Sequence, residues 1–416
     1  MSAAGIAPAD VAPIRSQFPL LDREVHGRRI VYLDSAATSQ KPQAVLDEID
    51  DYYRSTNANV HRGVYEIAEE ATNLMERARD DVRAFIGARS TSEIVFTKNA
   101  TESLNLVVQS WGRANLQAGD AVVLTHMEHH ANIVPWQMLA AERGIEIRWI
   151  PLDAHGRLDL TDLDHLLDGA KALGATAMSN VLGTLTPVRT LTDAARAAGA
   201  VSIIDGCQSV PHSPTDVADL GCDFLAFSGH KMCGPTGIGV LYGREELLDA
   251  MPPFLGGGEM IRDVRLDGFT CNDLPWKFEA GTPPIAEIVG LGAAVRWLQG
   301  IGMDAVRAHE IGLTEYTFTL LAERFGDRLR IHGPSDPLER GGVFSFEFDG
   351  LHPHDISQVL DTHAVCVRAG HHCAKPLMRI LGVGATARAS VYVYNDSSDI
   401  DALADALDAT GAFFAL

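Results

Sequence analysis

The stretch IDGCQSVPHSPTDVADLGCDFLAFSGHKMCGPTGIG, residues 204–239, decides the fold. It contains the ends of two short apolar runs, because Asp205 closes the run VSIID and Lys231 follows the run DFLAFS. Short apolar runs that alternate with helical segments are typical of a mostly parallel sheet covered by helices. Ligands of such sheets bind at the carboxyl ends of the strands. We therefore expect Asp205 and Lys231 at one edge of the sheet, with side chains that reach opposite ends of a single ligand.

A lysine and an aspartate at the ends of consecutive strands indicate pyridoxal 5'-phosphate (PLP). A lysine amine forms a Schiff base with the cofactor aldehyde, and a carboxylate keeps the pyridine nitrogen protonated so that the ring accepts electrons. Ser228 and His230 lie close to the lysine and are predicted to donate to the phosphate. The alternative is a surface lysine in a glycine-rich turn, with Asp205 as a turn former. The strand-end positions of both residues, followed by GPTGIG, favour PLP.

The phosphate also needs backbone donors. The run EIVF leads through TKNATES directly into a predicted helix, which places the N–H groups of residues 100–102 at a helix N-terminus. Such a terminus carries partial positive charge and unpaired donors, which suit an anion. Thr101 is predicted to contact the phosphate here. Helix capping by Thr101 alone is the alternative.

Strand and helix patterns alternate over the first two thirds of the chain and then change. Strands are predicted at residues 30–33, 93–96, 121–125, 145–150, 176–179, 201–204 and 223–226, and helices at residues 65–86, 103–114, 132–143, 160–167 and 193–198. Residues 251–284, rich in glycine and proline, are predicted to be irregular. Beyond them we expect helices at residues 285–299, 303–325, 354–362 and 398–409 and strands at residues 342–348 and 390–394. The pattern predicts an α/β protein with a mostly parallel large domain and a smaller α+β domain.

Composition narrows the class of protein. A chain of 416 residues is expected to form about two or three domains. The net charge of −21 argues against a nucleic-acid partner, since no basic block exists to neutralise phosphates. No apolar run is long enough for a membrane span, and the first residues lack the pattern of a signal peptide. The six cysteines form no CxxC pair, so a reducing cytoplasm is the expected location.

One cysteine differs from the others in its surroundings. Cys373 lies in VRAGHHCAKPLMRIL, a polar loop before a short predicted helix. Arg368 and Lys375 place positive charge near the thiol, and such surroundings favour a reactive cysteine over a buried one. Cys222 and Cys366 lie inside apolar runs and are expected to be buried. We therefore predict that Cys373 is the reactive thiol.

A zinc site is the alternative use of these residues. His371, His372 and Cys373 form one candidate set, and His126, His129 and His130 form another with helical spacing. Structural zinc sites draw four ligands from paired motifs, and neither CxxC nor HExxH is present. We therefore predict no metal site within this chain alone.

Several motifs resemble those of a known family in the same order. LDSAATSQKP, NATES, MEHHANIVPW, DGCQS, SGHK, GGGEMI, FEAGTPP and RAGHHCAKPLM together are similar to SufS-type (group II) cysteine desulfurases. These belong to the class V aminotransferases, with the PLP-dependent transferase fold type I. The resemblance runs from about residue 18 to the C-terminus. It implies a homodimer in which an N-terminal arm (residues 1–29) packs with the small domain (285–416), which carries the cysteine loop, while residues 30–284 form the large PLP-binding domain.

The resemblance also implies roles for residues around the cofactor. Lys231 would be the Schiff-base lysine, Asp205 would pair with the pyridinium, and Gln208 would hydrogen-bond the ring hydroxyl. His129 would stack on the ring and help to move protons. Cys207 stands where a small residue such as alanine is expected and is given no role.

The remaining roles concern the phosphate and the substrate. Thr101, Ser228 and His230 would bind the phosphate together with the partner subunit's Thr282. Asn180 would lie beside the cofactor and the substrate carboxylate, which Arg388 would clamp. Cys373 would take the sulfur of L-cysteine as a persulfide, leaving L-alanine.

The sulfur must then pass to an acceptor that supplies iron–sulfur cluster assembly. In relatives that serve a zinc-containing U-type acceptor, a histidine matching His354 in GLHPHD takes over a zinc ligand, so we favour that partner over an E-type acceptor. His352 and His354 as solvated loop residues are the alternative. Two other functions remain open: a selenocysteine lyase or other class V PLP enzyme, and a non-catalytic scaffold. The intact set of Lys231, Asp205 and Cys373 argues against a scaffold.

Overall fold

The computed structural model describes residues 8–414. The chain begins with a helix and three short strands, which are α1 (Pro8–Arg15), β1 (Glu24–Val25), β2 (Arg28–Arg29) and β3 (Val31–Tyr32). β1 and β2 pair antiparallel. The guanidinium of Arg15 lies 3.6 Å from Asp399 near the C-terminus and donates to the carbonyl of Ile30 at 3.0 Å. These contacts join the first thirty residues to the C-terminal part of the protein.

A seven-stranded sheet forms the centre of the protein. Its strands are β4 (Ile94–Thr97), β5 (Ala121–Thr125), β6 (Glu146–Ile150), β7 (Ala170–Thr176), β8 (Val201–Asp205), β9 (Phe224–Ser228) and β10 (Gly239–Gly243). Their order across the sheet is β4-β10-β9-β8-β7-β5-β6. β10 runs antiparallel to both of its neighbours, and the other pairings are parallel. The predicted mostly parallel α/β architecture is confirmed.

Helices cover both faces of this sheet. They are α2 (Gln43–Asp51), α3 (Glu66–Phe85), α4 (Ala100–Val107), α5 (Arg113–Asn115), α6 (Val134–Arg143), α7 (Leu163–Leu167), α8 (Val188–Ala197), α9 (Val217–Leu220) and α10 (Glu245–Ala250). Successive strand residues point to opposite faces, so Ile204 and Phe227 join one core cluster while Ile203 and Ala226 join another. Burial on both faces explains why these strands are continuously apolar.

An exposed hairpin follows, made of β11 (Ile261–Arg265) and β12 (Gly268–Cys271). The prediction that residues 251–284 are irregular throughout is therefore wrong. Most side chains of the hairpin are exposed on both faces, so no alternation of apolar and polar residues marks its strands in the sequence.

The C-terminal part carries a four-stranded antiparallel sheet in the order β13-β14-β17-β16. Its elements are α11 (Ile285–Ile301), α12 (Met303–Phe325), β13 (Leu329–Ile331), β14 (Val343–Phe348), α13 (Pro353–Thr362), β15 (Val365–Cys366), β16 (Arg368–Gly370), α14 (Lys375–Ile380), β17 (Thr386–Ser390) and α15 (Ser397–Phe413). β15 pairs in parallel with β3. α11 packs against α2 and α3. The division at residues 30 and 285 stays a prediction.

Two predicted strands are misplaced. The strand expected at residues 176–179 ends at Thr176 instead, because AKALGAT, poor in strand formers, is buried between two other strands. The strand expected at residues 390–394 also ends where it was predicted to begin, at Ser390. The backbone N–H of Tyr392 donates to the side chain of Asn395, which takes this aromatic run out of the sheet.

Within residues 8–414, no helix combines the length and the apolar character that crossing a membrane requires.

Candidate active site

A cavity of about 240 Å³ lies where the carboxyl ends of β8 and β9 meet the N-terminus of α4 and the loop before α14. Most of the predicted site residues line it, namely Thr101, His129, Asn180, Asp205, Gln208, Ser228, His230, Lys231, Cys373 and Arg388. The structure thus brings together residues that are spread over almost three hundred positions of the chain. The predicted Thr282 and His354 lie elsewhere.

Asp205 and Lys231 come from neighbouring strand ends, as predicted. Asp205 is the last residue of β8, and Lys231 closes a short helical turn that follows β9. Asp205 is almost fully buried, and its Oδ1 accepts from the N–H of Cys207 at 2.9 Å. The site therefore offers an amine and a buried carboxylate within one small cavity.

The N-terminus of α4 faces the same cavity. Asn99, rather than Thr101, caps the helix, because its side chain accepts from the N–H of Glu102 at 3.0 Å. The capping interpretation of Thr101 is therefore wrong, and its side chain is exposed at the cavity wall. The Ser228 hydroxyl accepts from the N–H of Ala100 at 2.9 Å, which joins β9 to the helix. Gly239 permits this close approach, since a Cβ there would lie 2.5 Å from the backbone of Asn99.

The histidines around the cavity are held neutral. Burial, followed by the positive charge of Lys231, lowers the pKa of His129 to about 4. Burial and the charges of Lys231 and Lys41 also lower the pKa of His230 to about 4. Neutral imidazoles at these positions can donate one N–H each and accept at the other nitrogen.

A buried glutamate, Glu128, fixes the loop that carries His129. It accepts hydrogen bonds from the Thr125 hydroxyl at 2.6 Å, the Asn132 amide at 2.7 Å and the Thr176 N–H at 2.8 Å. Burial raises the pKa of Glu128 to about 8. No role was predicted for this residue, although it stands inside the motif MEHHANIVPW. The only signal in the sequence was a carboxylate three residues after an apolar strand.

The wall near β17 is built around Arg388. Its Nη1 donates to the carbonyl of Asn180 at 2.9 Å, and its Nη2 donates to Asp34 at 3.1 Å. Asp34 was not predicted as a site residue. Asp34 directly follows an apolar run, much as Asp205 closes one, so the sequence could have indicated it as a site residue.

Three buried polar atoms of residues that line the cavity have no hydrogen-bond partner within the described chain. These are Oε1 of Gln208, Nε of Arg388 and Nδ1 of His372. The other end of Gln208 donates to the carbonyl of Ala36 at 2.8 Å, which fixes its side chain. Because an unpaired buried polar atom is costly, these atoms indicate a polar ligand in this cavity.

Exposure to solvent distinguishes Cys373 from the other cysteines. All six cysteines are unpaired and lie within the described residues, and Cys373 is the exposed one among them. Burial raises the pKa of Cys222 and of Cys233 to about 12, which makes those thiols inert. Cys366 is half-buried rather than buried, and burial raises its pKa as well.

A second, wider cavity of about 860 Å³ opens on the outer side of the cysteine loop. His354 lines this outer cavity together with Cys373, while Arg368, His372 and Cys373 line both cavities. The thiol therefore stands between a small inner cavity and a large outer one. Among the described residues, no group of three or more histidine, cysteine or acidic side chains is arranged to hold a metal ion.

Thr282 does not reach the inner cavity of its own chain. It lines a separate cavity of about 180 Å³ with Phe254 and Pro283. Its assignment to the phosphate of a partner subunit stays a prediction.

Comparison with known proteins defines the class. The family model "Aminotransferase class-V" matches residues 31–403. The chain belongs to the class V aminotransferase family, whose enzymes depend on PLP.

Within that family, its similar relatives are cysteine desulfurases. A probable cysteine desulfurase of Streptomyces coelicolor is 52% identical over 411 residues, which are 97% of this chain and 98% of the relative. A cysteine desulfurase of Haloferax volcanii is 50% identical and covers 98% of both chains. The apo structure of the cysteine desulfurase from Thermococcus onnurineus NA1 superimposes with a TM-score of 0.91 at 40% identity, covering 98% of this chain and 99% of that one.

The residues of the inner cavity fit PLP. They provide an amine for the aldehyde at Lys231, a buried carboxylate for the pyridine nitrogen at Asp205, and a helix N-terminus with Ser228 for the phosphate. The unpaired Oε1 of Gln208 can accept from the ring hydroxyl, and Nε of Arg388 remains for a carboxylate. The donor set therefore matches the cofactor that the family uses.

Proposed function

We propose that this protein is a cysteine desulfurase that converts L-cysteine to L-alanine and takes the sulfur as a persulfide on Cys373. The observation that carries the proposal is the place of Cys373, an exposed thiol at the boundary between the PLP-type cavity and the outer cavity. A thiol in this position can meet a substrate on one side and a sulfur acceptor on the other. The relatives at about half identity support the same activity.

PLP, when bound, supplies an electron sink that makes the Cα–H and Cβ–S bonds of an amino acid labile. Lys231 would hold the cofactor through its amine and, once the substrate has replaced it, carry the proton away from Cα. Asp205 would keep the ring nitrogen protonated. His129 would cover one face of the ring, and its lowered pKa leaves it neutral and able to accept or donate a proton.

Arg388 would orient the substrate through its carboxylate. Its guanidinium is already fixed by Asn180 and Asp34, and charge-assisted hydrogen bonds to a carboxylate are strong. Thr101, Ser228 and His230 would hold the phosphate. This arrangement would place the substrate between the lysine and the cysteine loop.

The sulfur step is a displacement at the substrate sulfur. The thiolate of Cys373 attacks that sulfur, an S–S bond forms, and the Cβ–S bond breaks. The electron pair of the broken bond stays with the carbon skeleton. Cβ gains a proton and becomes the methyl group, and Cα regains the proton that Lys231 removed, which gives alanine. The sulfur leaves as a persulfide on Cys373, which an external thiol reduces to sulfide or an acceptor protein removes.

The test is an assay of the purified protein with L-cysteine and a reducing thiol. We expect visible absorbance from bound PLP, and alanine and sulfide in equal amounts. Absorbance without turnover would retain the PLP assignment and reject L-cysteine as substrate. The relative turnover of L-cysteine and L-selenocysteine separates a cysteine desulfurase from a selenocysteine lyase. Elimination of selenium does not need the acceptor thiol, whereas release of sulfur does.

We further propose that the outer cavity receives a sulfur acceptor of iron–sulfur cluster assembly, with a U-type zinc protein favoured over an E-type protein. His354 is exposed and lines this cavity together with Cys373, where it can take a place in the zinc coordination of an acceptor. His354→Ala should reduce stimulation by a U-type acceptor and leave activity with a small thiol unchanged. His155→Ala, at an exposed position outside the cavity, is the control. Undiminished stimulation of the His354 variant by the zinc acceptor would reject this partner.

The resemblance of the sequence motifs supports two further proposals, namely that the protein is a SufS-type enzyme and that it forms a homodimer. We also propose that it works in a reducing cytoplasm, where its free cysteines persist. The dimer proposal is tested with mixed dimers of Lys231→Ala and Thr282→Ala chains. If Thr282 acts across the interface, one site of each mixed dimer is complete and activity returns. If Thr282 acts within its own chain, the mixture stays as inactive as its parts.

A further inference from the structure

The loop that carries Cys373 has an unusual backbone conformation. His372 and Cys373 are consecutive non-glycine residues with positive φ angles of 51° and 55°. This left-handed region is unfavourable for side chains with a Cβ, so surrounding contacts must hold the loop in place. The contacts that do so determine where the thiol points.

Three hydrogen bonds from outside the loop hold its backbone. The Asn180 amide donates to the carbonyl of His372 at 2.6 Å, and the N–H of His130 donates to the carbonyl of Cys373 at 2.8 Å. Two residues after Cys373, the N–H of Lys375 donates to Nε2 of the His130 ring at 2.9 Å. His130 therefore holds the backbone on either side of Ala374, directly after Cys373, once with its own backbone and once with its side chain.

The protonation state of the His130 ring is consistent with its role as a hydrogen-bond acceptor. A ring nitrogen that accepts from an N–H must be unprotonated, so the bond requires a neutral imidazole. Burial lowers the pKa of His130, and the positive charges of His371 and Lys375 lower it further. The neighbouring His129 lines the inner cavity, whereas His130 contacts the cysteine loop.

We propose that His130 is a positioning residue for the sulfur-transfer step: its imidazole fixes the loop after Cys373 so that the thiol stands at the inner cavity. This inference rests on the proposed function. His130 lines the outer cavity and is absent from the lining of the inner one, so it acts through the loop rather than on the substrate.

The experiment compares His130→Phe, which keeps the backbone bond and loses the ring acceptor, with His130→Gln, whose amide oxygen can accept from Lys375. His126→Phe is the matched control, since His126 is half-buried in the same segment and its ring packs against Trp149. The rate of persulfide formation on Cys373 is measured in a single turnover with L-cysteine. Bound-PLP absorbance and the KM for L-cysteine are measured beside it.

We expect His130→Phe to slow persulfide formation by about tenfold or more, because small displacements of a reacting group are costly. The KM and the PLP absorbance should stay as in the wild type, and His130→Gln should recover most of the rate. Hydrogen exchange over residues 371–378 should be faster in the Phe variant only. If the Phe variant does not fold, His130→Asn, too short to reach Lys375, replaces it.

A His130→Phe variant as fast as the wild type, or a Gln variant as slow as the Phe variant, would overturn the inference. Either result leaves the proposed function intact. A wild-type protein that forms no persulfide on Cys373 would instead reject the proposed function itself.

Discussion

The carboxylate of Asp34 accepts a hydrogen bond at 3.1 Å from Nη2 of Arg388, a residue 354 positions further along the chain. The contact joins the loop after β3 to β17 at the wall of the inner cavity. Arg388 is 2% exposed and donates to Asn180 with its other terminal nitrogen, so its orientation is fixed on two sides. The unpaired Nε then remains for a ligand. A substrate carboxylate would thus meet a guanidinium that is already oriented.

Arg388→Lys should raise the KM for L-cysteine more than it lowers kcat. A lysine cannot keep the fixed planar arrangement, and the loss of a charged hydrogen bond of about 1.5–3 kcal/mol corresponds to about a tenfold to hundredfold higher KM. Steady-state alanine formation measures both constants. Arg379→Lys, at an exposed position on α14, is the control and should behave as the wild type. An unchanged KM in the Arg388 variant would remove Arg388 from the substrate site.

Glu279→Gln should destabilise the folded protein strongly. Glu279 forms a bidentate pair with the buried Arg79 at 2.7 and 2.9 Å and also accepts from the N–H of Phe96 in β4. Breaking a buried ion pair from one side costs about 3–5 kcal/mol. Glu76 still contacts Nε of Arg79 at 3.0 Å, so we expect the lower end of that range. Urea unfolding measures the difference.

The control for this change lies on the same helix as Arg79. Asp80→Asn breaks the exposed pair with Arg83 and should cost less than about 1 kcal/mol. Equal effects of the Glu279 and Asp80 variants would show that burial does not distinguish the two pairs.

His372→Gln should reduce the acid sensitivity of folding. Burial and the charge of Arg388 lower the pKa of His372 to about 3, whereas an unfolded histidine titrates near pH 6.5. Below about pH 6.5 the unfolded state therefore binds a proton that the folded state does not, and stability falls with pH until about pH 3. Relative to the variant, the wild type should lose about 2 kcal/mol between about pH 6.5 and about pH 5. Urea unfolding at both pH values measures this difference. A difference between the two proteins that is independent of pH would contradict the assignment.

The sequence predicted the parts of the site in which a polar residue closes or follows an apolar strand. Asp205 and Lys231 follow that pattern, and Cys373 stands out because its neighbours are polar. The β7 strand at Ala170–Thr176 could not be predicted in this way, because its composition is that of a loop or helix and only burial between neighbouring strands makes it a strand.

Contacts between distant parts of the chain also could not be predicted from the sequence. The pairing of Asp34 with Arg388 depends on how the residues after β3 meet β17. The contact of His130 with the loop of Cys373 depends on how the segment before α6 meets the loop before α14. The role of Glu128 depends likewise on donors from Thr125, Asn132 and Thr176, which lie on different elements. A single sequence carries no sign of such pairings beyond the residue types.

The most direct test of the central claim is the mass of Cys373 after a single turnover with L-cysteine. The wild type should gain one sulfur atom at Cys373 for each alanine formed. Cys373→Ser should bind PLP with the same visible absorbance, gain no sulfur and release none to an acceptor. Sulfur found on another cysteine, or sulfide formed by the Ser variant at the wild-type rate, would contradict the claim that Cys373 takes the sulfur.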